Sequence, residues 1–300
     1  MKHVFSILAA SGLALASPQA QAQDDAAVFK PAGNWVADYG DDYCRLSRTF
    51  SNGSAQISLG MERVQPGVAT RFLVVGDGIK IYRTSKLIGY SFGSQPERQA
   101  QFAHEQTADG KEWYNLGSLT LDASPAPSKG AASAAKYDRA AERATAKGVT
   151  AIVLGSGLTK PVRIETGPLD AAVGALQACA DDLVKTWGLD PAKNHELASR
   201  PVPQGMPWLQ PDAIDFSMFG RLALDSNQIR VTVDSAGKPT GCHAHWPTLD
   251  KPINDKICQA VMQKASFAPA QDASGQPVAS YWMGNPLTMM PPMGGPGLRR

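Results

Sequence analysis

Short runs of β-branched and aromatic residues, separated by turn residues, dominate residues 23–122. Three such runs lie at Ala55–Met61, Thr70–Val75 and Ile79–Thr84, and the Gly-Asp-Gly sequence at 76–78 divides the last two. Runs of this length between turn signals are typical of strands joined by tight connections. The pattern predicts an antiparallel, β-rich N-terminal domain.

Residues 149–188 carry a hairpin pattern followed by an amphipathic helix pattern. Extended stretches at Thr150–Leu154 and Pro161–Glu165 flank a Gly-Ser-Gly turn. Apolar residues then recur every three or four positions from Leu169 to Trp187, and Gly188 is placed to end the helix. We expect this hairpin and helix to complete the N-terminal domain.

Two segments have the composition of linkers. Residues 123–148 are rich in Ala, Ser and Pro and can contain a short helix from about 134 to 147. Residues 189–212 are rich in proline, which favours a semi-extended connection between two domains.

The pattern within residues 213–283 predicts a second, smaller domain. Ile229–Val233 alternates apolar and polar residues, a turn follows, and Thr240–Trp246 returns as the second strand of a hairpin. Helical spacing from about 254 to 266 and an extended stretch at about 278–282 complete a β-β-α-β unit. The chain is thus predicted to be an α+β protein, with an N-terminal antiparallel β-rich domain that includes one packed helix and a small C-terminal domain.

The charge balance narrows the classes of function. Lys and Arg number 29 against 27 Asp and Glu, so the chain is close to neutral and a nucleic-acid partner is not expected. A hydrophobic fraction of 43% with 19% charged residues excludes wholesale disorder.

The first 22 residues have the pattern of a cleavable export signal. Lys2 supplies the positive start, Val4–Ala16 is apolar but too short to span a membrane, and cleavage is expected after Ala22 or, alternatively, after Ala20. The mature protein is therefore expected in the periplasm, exported and with no membrane span of its own.

Four cysteines make an even set, which in an oxidising compartment favours two disulfides. Three pairings are possible. We favour Cys242 with Cys258 and Cys44 with Cys179, because each bond then stays inside one predicted domain. The alternative is four buried free thiols.

The C-terminal unit resembles the C-terminal domain of the TonB family of periplasmic energy transducers. The residues that carry the resemblance are IRVTVDSAGKPTGCHAHW (Ile229–Trp246) and DKICQAVMQKASFAPAQDASGQPVASYW (Asp255–Trp282). They include an aromatic-Ala-Pro-Ala element at 267–270 that is followed by a Gly-Gln-Pro element at 275–277. The resemblance covers about the last quarter of the chain.

The resemblance implies binding of a periplasmic or outer-membrane protein or peptide by strand addition. Transducing members of the family also have an uncleaved membrane helix and a long proline-rich span, and neither is expected here. Force transmission from the inner membrane is therefore not expected either. The expected binding edge is the last strand, at Ser280, Tyr281, Trp282 and Met283. In the alternative, Tyr281 and Trp282 merely cover the core.

A Cys-His-Ala-His sequence is the sharpest candidate for metal chemistry. On a strand, His243 and His245 point to the same side and could share one ion. No third ligand is near in sequence, and only His104 or His195 is considered as one that folding could supply. The favoured interpretation is two exposed residues on the solvent face of a hairpin, so no metal site and no cofactor are assigned.

The last residues, 284–300, are rich in Met, Pro and Gly and are interpreted as a flexible tail. Thioethers there could bind Cu(I), but their spacing is irregular; they belong to Met283, Met289, Met290 and Met293. The adjacent Asp41 and Asp42 are interpreted as solvated carboxylates.

No catalytic motif stands out, so no catalytic residue is nominated and the protein is not expected to be an enzyme. The alternatives are a cell-envelope hydrolase with its site in the N-terminal domain and a periplasmic metal-binding protein.

Overall fold

The computed structural model describes residues 26–122, 137–210, 228–245 and 251–291. Within them the chain is mixed α/β and strand-rich, with four helices and a large, nearly closed sheet. The export signal expected at 1–22, the linker residues 123–136 and Trp246 lie outside the described residues. None of the helices in the described part is long and apolar enough to span a membrane.

Eleven strands form the large sheet, and two helices pack with them. The strands are β1 (Ala27–Pro31), β2 (Val36–Tyr39), β3 (Cys44–Ser51), β4 (Gln56–Arg63), β5 (Thr70–Val75), β6 (Leu87–Phe92), β7 (Arg98–Gln101), β8 (Ala103–Gln106), β9 (Glu112–Leu119), β10 (Ile152–Leu154) and β11 (Val162–Ile164). The helices are α1 (Arg139–Gly148) and α2 (Asp170–Thr186).

The strand order in this sheet is β7-β6-β10-β11-β1-β3-β4-β5-β9-β8, and β2 pairs with β3. The β1–β11 pairing is parallel and the other pairings of the sheet are antiparallel. β7, at one end of this order, lies near β9, the strand next to the other end, and the Arg98 guanidinium on β7 donates to the carbonyl oxygen of Thr120, just after β9. One buried apolar cluster joins the strands to the inner face of α2.

Within residues 149–188, the predicted hairpin is part of this sheet as β10 and β11. The helix that follows runs from Asp170 to Thr186, close to the predicted span. The predicted strand Thr70–Val75 is β5. The prediction of a strand at Ile79–Thr84 is wrong, since that segment contributes only a single bridge, from Ile81 to Leu158. A run of β-branched and aromatic residues does not ensure that a neighbouring strand is available for pairing.

The C-terminal part contains a separate, smaller sheet. The elements of this part are α3 (Pro191–His195), β12 (Val202–Gln204), β13 (Gln228–Val233), β14 (Pro239–His245), α4 (Lys251–Lys264), β15 (Ser266–Ala268), β16 (Ala270–Gln271), β17 (Pro277–Val278) and β18 (Ser280–Gly284). The small sheet has three antiparallel strands in the order β14-β13-β18. Helix α4 covers the face on which Ile229, Val231 and Val233 are buried.

The expectation that 189–212 is a linker is wrong for its described residues, 189–210. They contain α3, and β12 pairs with β15 inside the C-terminal part. Trp208 is buried there against Phe267, with ring centroids 5.3 Å apart. Proline content indicated an extended backbone but not that this backbone would be packed.

The expectation of a flexible tail from residue 284 is likewise wrong for residues 284–291. Gly284 belongs to β18, a 3-10 turn spans Pro286–Met289, and Met289 is buried in the C-terminal core with Met290. The Met289 carbonyl accepts hydrogen bonds from the backbone N–H groups of Trp208 and Leu209. Burial removes these thioethers from the set of accessible copper ligands, and Met293 lies outside the described residues.

Both disulfides are present, with the pairing that the sequence favours. Cys44 on β3 is bonded to Cys179 on α2, and Cys242 on β14 is bonded to Cys258 on α4. The first bond fixes the helix to the large sheet and the second fixes α4 to the small sheet. No cysteine is free.

The turn between β13 and β14 requires glycine at position 237. Gly237 has φ +82°, and a Cβ there would lie 2.1 Å from the carbonyl oxygen of Phe267. Gly275 has nearly the same φ, +81°, with open space around it. The two glycines therefore separate the cost of backbone conformation from the cost of a collision.

Replacing Gly275 by alanine should lower the free energy of unfolding by about 1–2 kcal/mol, the cost of a left-handed backbone for an L-residue. Gly237→Ala should cost more, roughly 3 kcal/mol, because backbone must also move. Urea unfolding of both variants measures this difference. Equal losses would show that the Gly237 contact relaxes freely.

Candidate functional site

The two parts of the protein meet where the small sheet turns its second face toward the large sheet. Asp42, in the loop between β2 and β3, and Trp187, directly after α2, both contact this face. The Cys44–Cys179 disulfide links the start of β3 to α2, so it restrains the loop of Asp42 relative to the helix that Trp187 follows. We call Asp42, Trp187, Arg230, His243 and His245 the junction cluster.

Strand alternation brings the polar members of the junction cluster together. His243 and His245 are two residues apart on β14, so both project from the face opposite α4. Arg230 on β13 lies directly opposite His243 in the register. The prediction that the two histidines share one side of the strand is confirmed, and their ring centroids lie 5.2 Å apart.

Asp42 completes the group. Its carboxylate oxygen Oδ2 lies 2.6 Å from Nε2 of His243, and its backbone carbonyl lies 3.1 Å from Nδ1 of His245. One ligand atom from each of the three residues falls within 4.8 Å of the other two. Asp42 and His243 remain partly open to solvent, whereas His245 is 1% exposed.

The interpretation of His243 and His245 as two exposed residues is therefore wrong for His245, and Asp42 is not merely a solvated carboxylate. Neither histidine considered as a third ligand approaches them: His104 pairs with Glu112 on the large sheet, and His195 lies 2.7 Å from Asp181. Nothing in the sequence pointed to Asp42, since it is 201 residues away from His243.

Arg230 supplies a positive charge beside these groups. Its Nη1 lies 3.7 Å from Oδ1 of Asp42 and 3.4 Å from Nε2 of His245. Its guanidinium carbon lies over the Trp187 ring, 4.3 Å from the ring centroid. Burial lowers the pKa of Arg230 and, with the positive charge of Arg230, lowers the pKa of His245 to about 4. His245 is thus a neutral imidazole at neutral pH.

The predicted binding edge, β18, is the other candidate site. Ser280 and Tyr281 are buried: the Ser280 hydroxyl donates to the amide oxygen of Asn194 at 2.6 Å, and the Tyr281 ring packs 4.9 Å from Trp187. Trp282 and Met283 are partly exposed. Among the described strands, only β13 pairs with β18, which leaves it at the border of the small sheet.

Comparisons with known proteins add no family or relative. No protein-family model, no curated protein and no solved structure matches the chain.

Proposed function

We propose that this protein binds a segment of a periplasmic or outer-membrane protein by strand addition, using β18 of a TonB-like C-terminal domain. The observation that carries the proposal is the position of β18 at the border of a three-stranded sheet. Helix α4 covers one face of this sheet. The order strand, strand, helix, strand along the chain agrees with the resemblance to that family.

An edge strand offers main-chain N–H and C=O groups at regular spacing to an extended peptide. Pairing satisfies these groups on both chains, and the side chains of the added strand fall alternately on the two faces of the sheet. Strand addition thus needs a rigid border more than it needs a deep pocket.

Buried side chains hold β18 in place. Ser280 is tied to Asn194 by its hydroxyl, and Tyr281 is enclosed between Trp187 and Arg200, whose guanidinium carbon lies 5.2 Å from the Tyr281 ring. These two residues contribute anchoring and backbone groups, and not side chains, to a partner. A border that is already ordered costs little conformational entropy on binding.

Selectivity in this proposal comes from Trp282 and Met283. Trp282 lies opposite Val231 on the α4 side of the sheet, and Met283 lies opposite Arg230 on the junction side. An added strand would place one side chain beside each of them, so an extended segment with an apolar residue next to Trp282 fits best. The two disulfides support a location outside the cytoplasm, where such bonds persist.

Site-specific photo-cross-linking tests this function. A benzophenone side chain placed at Met283 should capture a partner from periplasm, whereas the same group at Tyr82, exposed on the N-terminal part, should not. Mass spectrometry should locate the cross-link in an extended segment of one protein. Equal capture at both positions would contradict the proposal.

A second measurement asks whether the partner binds through its backbone. A synthetic peptide of the captured segment should lose affinity by at least about tenfold when alternate residues, and not their neighbours, are N-methylated, because only every second N–H of an added strand faces the border. Fluorescence anisotropy gives the affinities. Insensitivity to N-methylation at every position would exclude strand addition.

A further inference from the structure

The junction cluster has the donor set of a metal site and belongs to no step of strand addition. Two imidazoles and one carboxylate offer ligand atoms within 4.8 Å of one another, close enough to surround a single ion. This combination is typical of sites for Zn²⁺ and for non-haem iron, in which three protein ligands leave further positions open. The partly exposed Asp42 and His243 provide the way in from solvent.

The hydrogen bonding of His245 orients it as a metal-ligating histidine is oriented. A carbonyl oxygen can only accept, so Nδ1 of His245 carries the proton that it donates to the backbone oxygen of Asp42, 3.1 Å away. The lone pair is then on Nε2, on the side of Arg230. Metal-binding histidines characteristically donate their other ring nitrogen to a carbonyl or carboxylate in this way.

The same residue, Asp42, thus serves the cluster twice. Its backbone holds the ring of His245, and its carboxylate lies 2.6 Å from Nε2 of His243. Because Asp42 is on the loop before β3 and both histidines are on β14, an ion bound by all three would bridge the large sheet and the small sheet.

Arg230 lies beside the atoms that an ion would need. Its Nη1 is 3.4 Å from Nε2 of His245 and 3.7 Å from Oδ1 of Asp42, so its charge takes a position next to both. A bound cation would be repelled by the guanidinium unless that group moved away from the carboxylate. The Arg230 guanidinium therefore competes with a bound cation for His245 and Asp42.

We propose that Asp42, His243 and His245 form a binding site for a divalent transition-metal cation such as Zn²⁺ at the junction of the two sheets, and that Arg230 weakens its affinity. The site is independent of strand addition at β18, so either proposal can fail alone. All four cysteines are in disulfides, and thiolates therefore do not compete for the ion.

Calorimetric titration of the untagged full chain with ZnCl₂ tests the site. The unsubstituted protein should bind one equivalent, and His243→Gln and Asp42→Asn should each weaken binding by at least about tenfold, a loss that even outer-shell changes can produce. His104→Gln is the matched control, because His104 also pairs with a carboxylate but lies outside the cluster. It should bind like the unsubstituted protein.

Arg230→Met should act in the opposite direction. Methionine keeps an apolar contact with Trp187 but removes the competing charge, so zinc should bind about tenfold or more tightly. A general loss of folding would weaken binding and could not produce this gain. The measurement therefore separates a metal site from damage to the junction.

Three results would overturn the proposal. They are no zinc uptake by the unsubstituted protein, equal weakening in His104→Gln and His243→Gln, and unchanged or weaker binding in Arg230→Met with native circular dichroism. A rise in thermal unfolding midpoint with zinc, absent in Asp42→Asn, would support it, since a ligand that binds only the folded state stabilises that state.

Discussion

Removing the Cys44–Cys179 disulfide by replacing both residues with alanine should lower the free energy of unfolding by about 5 kcal/mol. The bond joins residues 135 apart, and in the chain-entropy model the stabilisation grows with the length of the closed loop. Both residues are buried, so alanine avoids placing an unpaired hydroxyl in the core. Equilibrium urea unfolding followed by tryptophan fluorescence measures the loss.

The second disulfide provides the comparison. Cys242 and Cys258 close a loop of only 16 residues, so the corresponding double alanine variant should lose about 3 kcal/mol. Should this variant lose as much as the first or more, loop length would not be the source of the difference between them. The stabilisation that the Cys44–Cys179 bond provides by joining α2 to the large sheet would then need another explanation.

Glu142→Ala should destabilise the protein by about 3–5 kcal/mol, because the buried Arg63 loses its carboxylate counter-charge and keeps hydrogen bonds only to the hydroxyls of Thr70 and Tyr137. Arg63 on β4 and Glu142 on α1 form an ion pair with almost no solvent exposure. Gln177 on α2 also donates to Glu142, at 2.9 Å, and burial raises the pKa of Tyr137 to about 12, which keeps its hydroxyl a neutral donor. One carboxylate thus connects a strand and two helices.

Two further variants show whether the loss comes from the unpaired charge. Arg63→Met combined with Glu142→Leu removes both charges and should recover most of the stability, since apolar residues of similar size often replace a buried pair well. Asp182→Ala breaks an exposed pair with Lys185 and should leave the urea midpoint unchanged. A double variant as unstable as Glu142→Ala would show that the lost contacts are specific hydrogen bonds.

The two proposals place different demands on the small sheet. Strand addition uses the border at β18, whereas the metal site uses the face that contains His243 and His245. The two regions adjoin, because Met283 on β18 lies opposite Arg230 in the register and Tyr281 packs against Trp187. The variants that keep the two tests apart are His243→Gln and Asp42→Asn, since both residues lie outside β18 and neither is paired with it.

The local elements could be predicted because their signals lie within a few residues of one another. Alternation at 229–233 and helical spacing at 169–187 each correspond to an observed element, and the turn at Gly237 is where a left-handed residue was needed. The disulfide pairing followed from the assignment of each cysteine to one part of the chain.

Long-range packing decided what these signals could not. Trp208 and Met289 read as parts of a linker and a tail, yet their apolar surface is buried against the small sheet. Burial in the core is favourable for any apolar residue that reaches it, whatever the composition of its neighbours in sequence. Composition alone therefore underestimated the extent of the C-terminal core.

By itself, the sequence determined that His243 and His245 share a face of one strand, because the two-residue period of a strand is a local property. Only the tertiary structure decided that Asp42 meets them from across the chain, that Arg230 lies beside them and that His245 is buried. Those contacts depend on how two sheets dock, and docking is set by the summed packing of both cores and not by any short stretch of residues.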